Sequence, residues 1–142
     1  MFIALFDESK DVFERMEDFR KQSSDLLEKY GSNDTQHYQY ENAISTYLWL
    51  RYPDKYYIYK FGEAKAVAQE LNSDYRFKKG AFADNIRNFL RLYDEISLAL
   101  KEDTELVNLF QSQLTETCYA DPELKTLTID VGFYIGRYYS QK

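Results

Sequence analysis

The sequence is short of the residues from which most catalytic and cofactor sites are built. It has one cysteine, Cys118, and one histidine, His37, in 142 residues. A lone cysteine excludes an internal disulfide and fits a reducing compartment. One Cys and one His give no zinc-ligand spacing and little basis for a Cys–His catalytic pair. His37 reads as a solvated residue near a helix start, and Cys118 as a small buried residue ahead of another. The five glycines are scattered and none precedes Lys-Ser or Lys-Thr, so no phosphate-binding loop is present. No apolar run approaches the roughly 20 residues of a membrane span. The apolar start Met1-Phe2-Ile3-Ala4-Leu5-Phe6 runs into Asp7-Glu8 without a leading basic region, which is unlike a signal peptide. These absences predict a cytoplasmic protein with no membrane contact and no cofactor.

What the chain does have is the composition of one globular domain, with 44% hydrophobic and 30% charged residues. A chain of this length buries roughly 70% of its unfolded surface, enough for a core without staples. Aromatic residues reach 18%, with 14 Tyr and 10 Phe against one Trp. Tyrosine buries a large ring yet needs its hydroxyl paired or wet. The surplus suits either a wet interface or a core built where helices meet solvent.

Helical periodicity recurs along the whole chain. Val12, Met16, Phe19, Ser23, Leu26 and Tyr30 form one face of a first helix, with Asp7 or Ser9 as its cap and Gly31 as a left-handed stop. A second helix begins near Asp34 or Thr35, carries Tyr40, Ala43, Ile44, Tyr47 and Leu48, and must end by Tyr52 because Pro53 follows. A short third holds Ala64, Val67, Ala68 and Leu71. A fourth, capped by Asp84, carries Ile86, Phe89, Leu90, Tyr93, Ile96 and Leu100. A fifth starts at Asp103 or Thr104. Asp121-Pro122-Glu123 signals the last, with a capping residue followed by proline at the first helical position. Residues 55–60 and 75–78 are rich in strand formers. The fold class expected is mainly α, a compact bundle of about six helices with at most one short two-stranded β element. Residues 1–142 are read as a single domain.

Charge divides this domain into three parts. Residues 1–50 and 92–142 each carry a net −5, while residues 51–91 carry +4. The basic middle coincides with the densest aromatic run. Aromatic rings stack on unpaired bases while Lys and Arg contact phosphates. The DNA-contact candidates are therefore Arg51, Lys55, Lys60, Lys78 and Lys79 for phosphates, with Trp49, Tyr52, Tyr57 and Tyr59 for stacking. The competing reading makes the rings core and the bases a solvated face. Pro53-Asp54 followed by Glu63-Ala64-Lys65 has the PD-x8-ExK form of metal-dependent nucleases, in which two carboxylates hold a divalent ion and the lysine positions water. That chemistry needs Asp54 and Glu63 to converge, and Glu63-Ala64-Lys65 instead opens a helix. Gly132 and Gly136 form a GxxxG spacing that either lets another helix approach closely or marks a weak point.

Three stretches carry a resemblance. They are Asp7-Glu8-Ser9-Lys10, the run from Ile44 through Arg51-Tyr52-Pro53-Asp54-Lys55-Tyr56-Tyr57-Ile58-Tyr59-Lys60, and Leu124-Lys125-Thr126-Leu127-Thr128-Ile129-Asp130. Together they resemble the region ahead of the motor in McrB-type restriction proteins, the AAA+ GTPase subunits of modification-dependent DNA restriction systems. The resemblance implies a non-catalytic accessory domain from a larger protein, contacting DNA or positioning the motor. It implies as partners the GTPase motor of the same protein, a McrC-like nuclease subunit and DNA. GTP hydrolysis and DNA cleavage would then lie elsewhere. The other readings are a divalent-metal nuclease using Asp54, Glu63 and Lys65, and a purely structural connector.

Overall fold

The computed structural model describes residues 1–139. They form seven α-helices and no strand: α1 (Phe2–Leu5), α2 (Val12–Tyr30), α3 (Glu41–Arg51), α4 (Phe61–Glu70), α5 (Phe82–Glu102), α6 (Thr104–Gln113) and α7 (Lys125–Tyr134). A π-helical turn, Ile135–Tyr139, extends α7. The mainly α bundle expected from periodicity is what forms, since six of these helices have ten residues or more. Helix α5 is the hub and packs against α2, α4, α6 and α7. Its inner face buries Ile86, Phe89, Leu92, Tyr93 and Ile96 against Met16 and Phe19 of α2, Ile44 and Leu48 of α3 and Val67 of α4.

The expected strand pair does not form. Lys55 belongs to the turn that follows α3, and residues 56–60 and 75–78 join no strand, because helix side chains take backbone groups a neighbouring strand would use. Tyr59 donates its N–H to Ser45 Oγ (2.9 Å), and its carbonyl accepts from Asn42 Nδ2 (2.8 Å). Asn85 bonds both backbone groups of Lys78, at 3.0 and 2.8 Å, and Asn88 donates to the carbonyl of Arg76. Buried backbone groups must be paired, but the partner need not be a strand.

Several helix ends also differ from expectation. Asp11 caps α2, accepting from the N–H groups of Phe13 and Glu14, while Asp7 turns back on Ser9. Gly31 ends α2 in extended geometry (φ −75°, ψ 124°), not left-handed. Helix α3 starts at Glu41, well after Asp34, because Tyr38 sits at φ 57° and breaks the helical path. Asp84 lies inside the first turn of α5, which starts without a side-chain cap. Asp103 does cap α6. Helix α7 begins at Lys125, not beside Pro122; Leu124 is left-handed (φ 55°) and Asp121 reaches across that turn to the N–H groups of Thr126 and Leu127. Neither the expected cap at Asp121 nor the expected first helical position at Pro122 forms: Leu124 takes the N-cap place, and Asp121 instead accepts from backbone N–H groups of the first turn at longer range.

The GxxxG glycines serve close approach. A methyl group on Gly132 would lie 2.3 Å from Tyr93 Oη, and one on Gly136 would lie 3.0 Å from Glu63 Cγ. They let the last helix and its π turn press onto α5 and α4.

Candidate functional site

The basic aromatic middle divides between core and surface. Tyr57 is 1% exposed and packs against both Phe89 and Tyr93, with ring centroids 6.1 and 5.4 Å away. Its hydroxyl donates to Asp94 (2.7 Å) and accepts from Lys125 Nζ (2.7 Å). Tyr59 is also buried, against Phe89. Burial pushes its hydroxyl up to about 12, with Glu41 adding to the effect. Neither ring has a free face for a base, which corrects the stacking assignment at both positions. Tyr52 is half-buried and donates to the carbonyl of Phe6. Trp49, also half-buried, is fixed by its indole N–H on Thr126 Oγ1 (3.1 Å).

The cationic candidates do not share one neighbourhood. Arg51 lies 4.8 Å and Lys55 5.6 Å from the Tyr52 ring centre, and Lys55 also pairs with Glu8 (3.1 Å). Lys60, at the start of α4, instead sits over Phe133, 5.9 Å from its ring centre. Lys78 and Lys79 are exposed on the turn leading into α5. Glu8 is itself the centre of a structural network, because buried Arg15 donates to it (2.9 Å), to the carbonyl of Leu5 (2.6 Å) and to Tyr56 (2.7 Å).

The nuclease-like residues have different surroundings. Asp54 accepts from the Tyr119 hydroxyl, whereas Glu63 lies beside Tyr93 and Gly136, and burial raises its carboxyl pKa. Lys65 lines a separate polar cleft with Arg76. Among the described residues no three His, Cys, Asp or Glu side chains are grouped so as to hold a metal ion. His37 is half-buried: its Nδ1 accepts from the N–H of Gln39 and its Nε2 bonds Ser24. Cys118 is exposed, not buried.

The most distinct surface feature comes from elsewhere. Helix α6 buries no residue completely. Together with the end of α3 and the outer side of α7 it walls an open groove of about 500 Å³. The floor and walls are Trp49, Leu50, Pro53, Phe110, Leu114, Tyr119 and Leu127, and the charged lining residues are Asp121 and Asp130. Leu50 is 65% exposed. Asp130 has its carboxyl pKa raised by burial and by the charge of Asp121. A leucine off the periodic face of α3 was the available sign of this site, since Leu50 does not belong to the stripe that contains Ile44 and Leu48. No helix of the described residues is long and apolar enough to cross a membrane. No protein-family model, curated protein or solved structure matches this chain.

Proposed function

We propose that this chain is a non-catalytic accessory domain of a McrB-type DNA restriction GTPase, and that it positions the motor by protein contact. The observation that carries the positioning role is the uncovered apolar groove of Trp49, Leu50, Pro53 and Phe110. Apolar surface of this kind, rimmed by polar residues, is characteristic of protein interaction sites. The resemblance of residues 44–60 and 124–130 supplies the restriction setting. In this reading a McrC-like nuclease subunit cuts DNA, and GTP is hydrolysed in the motor. The test is a comparison of GTP hydrolysis by the native-length protein with and without Leu50→Asp. Impaired, nuclease-unresponsive turnover in a variant that still folds supports the reading. Unchanged turnover, or a native-length protein that does not bind GTP, overturns it.

A second reading is DNA contact by this same domain, favoured by the exposed pair Lys78 and Lys79, which make no ion pair among the described residues. Phosphate contact of this sort is sequence-independent and weakens with salt. Titrating modified and unmodified DNA at two salt concentrations tests it.

A further inference from the structure

We infer that the groove receives a segment of a partner protein in which an apolar or aromatic anchor is accompanied by a lysine or arginine. The anchor seats among Trp49, Leu50, Phe110 and Leu127, and the cation pairs with Asp130. This rests on the docking role proposed above and specifies the chemistry of what docks.

The charge of the groove selects the occupant. Its charged lining residues, Asp121 and Asp130, are both acidic. Asp121 is buried, and its two oxygens are spent on the N–H groups of Thr126 and Leu127. Asp130 has no hydrogen bond or ion pair among the described residues, and the charge that acts on it is the like charge of Asp121. The bases of neighbouring segments are committed elsewhere. Lys125 pairs with Asp94 and Tyr57, Lys101 with Glu123, and Arg51 stacks on Tyr52.

Covering the groove with a neutral segment would strip more water from an unpaired carboxylate, which is unfavourable. An acidic segment, a nucleic-acid phosphate or an anionic lipid would add repulsion. A cation beside the anchor removes both costs and makes a charge-assisted hydrogen bond. The volume of about 500 Å³ suits a few side chains and not a whole domain face.

The test is selection of peptides of about a dozen residues from a random phage-displayed library on the 142-residue chain, with counter-selection on Leu50→Asp. Enriched sequences should combine aromatic or leucine residues with Lys or Arg. The affinity of a synthetic representative should fall at least about tenfold in Leu50→Asp, as for loss of a central anchor. It should fall about fivefold in Asp130→Asn, as for a partly exposed ion pair. Circular dichroism checks folding, and Leu50→Ser replaces Leu50→Asp should the latter unfold. Enrichment of acidic or uncharged sequences, an affinity indifferent to Asp130→Asn, or no enrichment at all overturns the inference. Failure here with impaired GTP turnover in the native-length Leu50→Asp protein leaves the positioning role standing. Success here with normal turnover removes the positioning role and leaves the groove's specificity.

Discussion

Tyr57 and Tyr119 both donate a hydroxyl to an aspartate, and the two regions they belong to behave oppositely. Tyr57 lies where α5 meets the segment after α3, and its ring and hydroxyl are enclosed. Tyr119 lies on the loop after α6, half exposed, over a groove that no part of the described chain covers. In the first region aromatic surplus is core, and the hydroxyls of Tyr56 and Tyr57 are matched by Arg15, Glu8, Asp94 and Lys125. In the second region the same residue types are left wet. The contrast teaches that aromatic density along the sequence does not mark which apolar surface stays open; the lack of an opposing helix does.

The sharpest way to break this comparison is to truncate a ring in each region. Tyr57→Ala should cost about 3–5 kcal/mol of stability, as for large-to-small changes in a core. Phe110→Ala, on the groove wall, should cost less than about 1.5 kcal/mol. Urea unfolding of both variants checks this, and equal losses would erase the distinction between the regions.

Close packing of the last helix on α5 gives the next largest effect. Gly132→Ala places a methyl group against the Tyr93 hydroxyl, so it should destabilise by about 1–3 kcal/mol. Tyr93→Phe removes the nearest clashing atom, and the double variant should recover part of the loss. Strict additivity in that cycle would show that the cost arises from backbone propensity and not from the contact.

These effects separate what was legible in the sequence from what was not. Helix existence was legible because apolar spacing, Asp103 and the Tyr52-Pro53 stop are local signals. The segments that join no strand were not, because their partners, Asn42, Ser45, Asn85 and Asn88, lie on helices and resemble ordinary surface amides and hydroxyls. The core position of Tyr57 was open for a similar reason: strand-like spacing says which residues alternate, not which helix covers them. The groove was hidden because its walls come from residues 49–53, 110–119 and 121–130, which only folding brings together.

Charge sharpens the comparison further. Burial raises the carboxyl pKa of Glu8, but hydrogen bonds from Tyr56, Lys55 and Arg15 outweigh it and leave the pKa below its usual value. A depressed folded-state pKa stabilises above the unfolded value and is lost as pH falls through the folded one. Glu8→Gln should therefore destabilise by about 1 kcal/mol at neutral pH, and the difference should close below the ordinary Glu range. A difference that persists at low pH would mean that shape, not charge, holds Arg15. On the surface, Lys78→Ala with Lys79→Ala should leave stability nearly unchanged. Should DNA bind, the pair should lower the salt slope by about two. A fall that depends on DNA sequence would argue against phosphate contact.

The smallest expected effect has the opposite sign. Burial and the neighbouring Asp121 raise the carboxyl pKa of Asp130. A carboxylate with a raised folded-state pKa opposes folding wherever it is ionised, and the penalty disappears once the pH is below both its folded and unfolded values. Asp130→Asn should therefore stabilise the free chain at neutral pH by a surface-sized amount, within about 0.5 kcal/mol. The gain should shrink steadily toward acid. Paired urea titrations at neutral pH and near pH 3 read the difference directly. The same substitution is expected to weaken docking, so one residue would lower stability while it serves recognition. Destabilisation by Asp130→Asn at neutral pH would mean that the carboxylate already has a favourable partner within the fold, and the groove would then have no unmet charge to offer a basic segment.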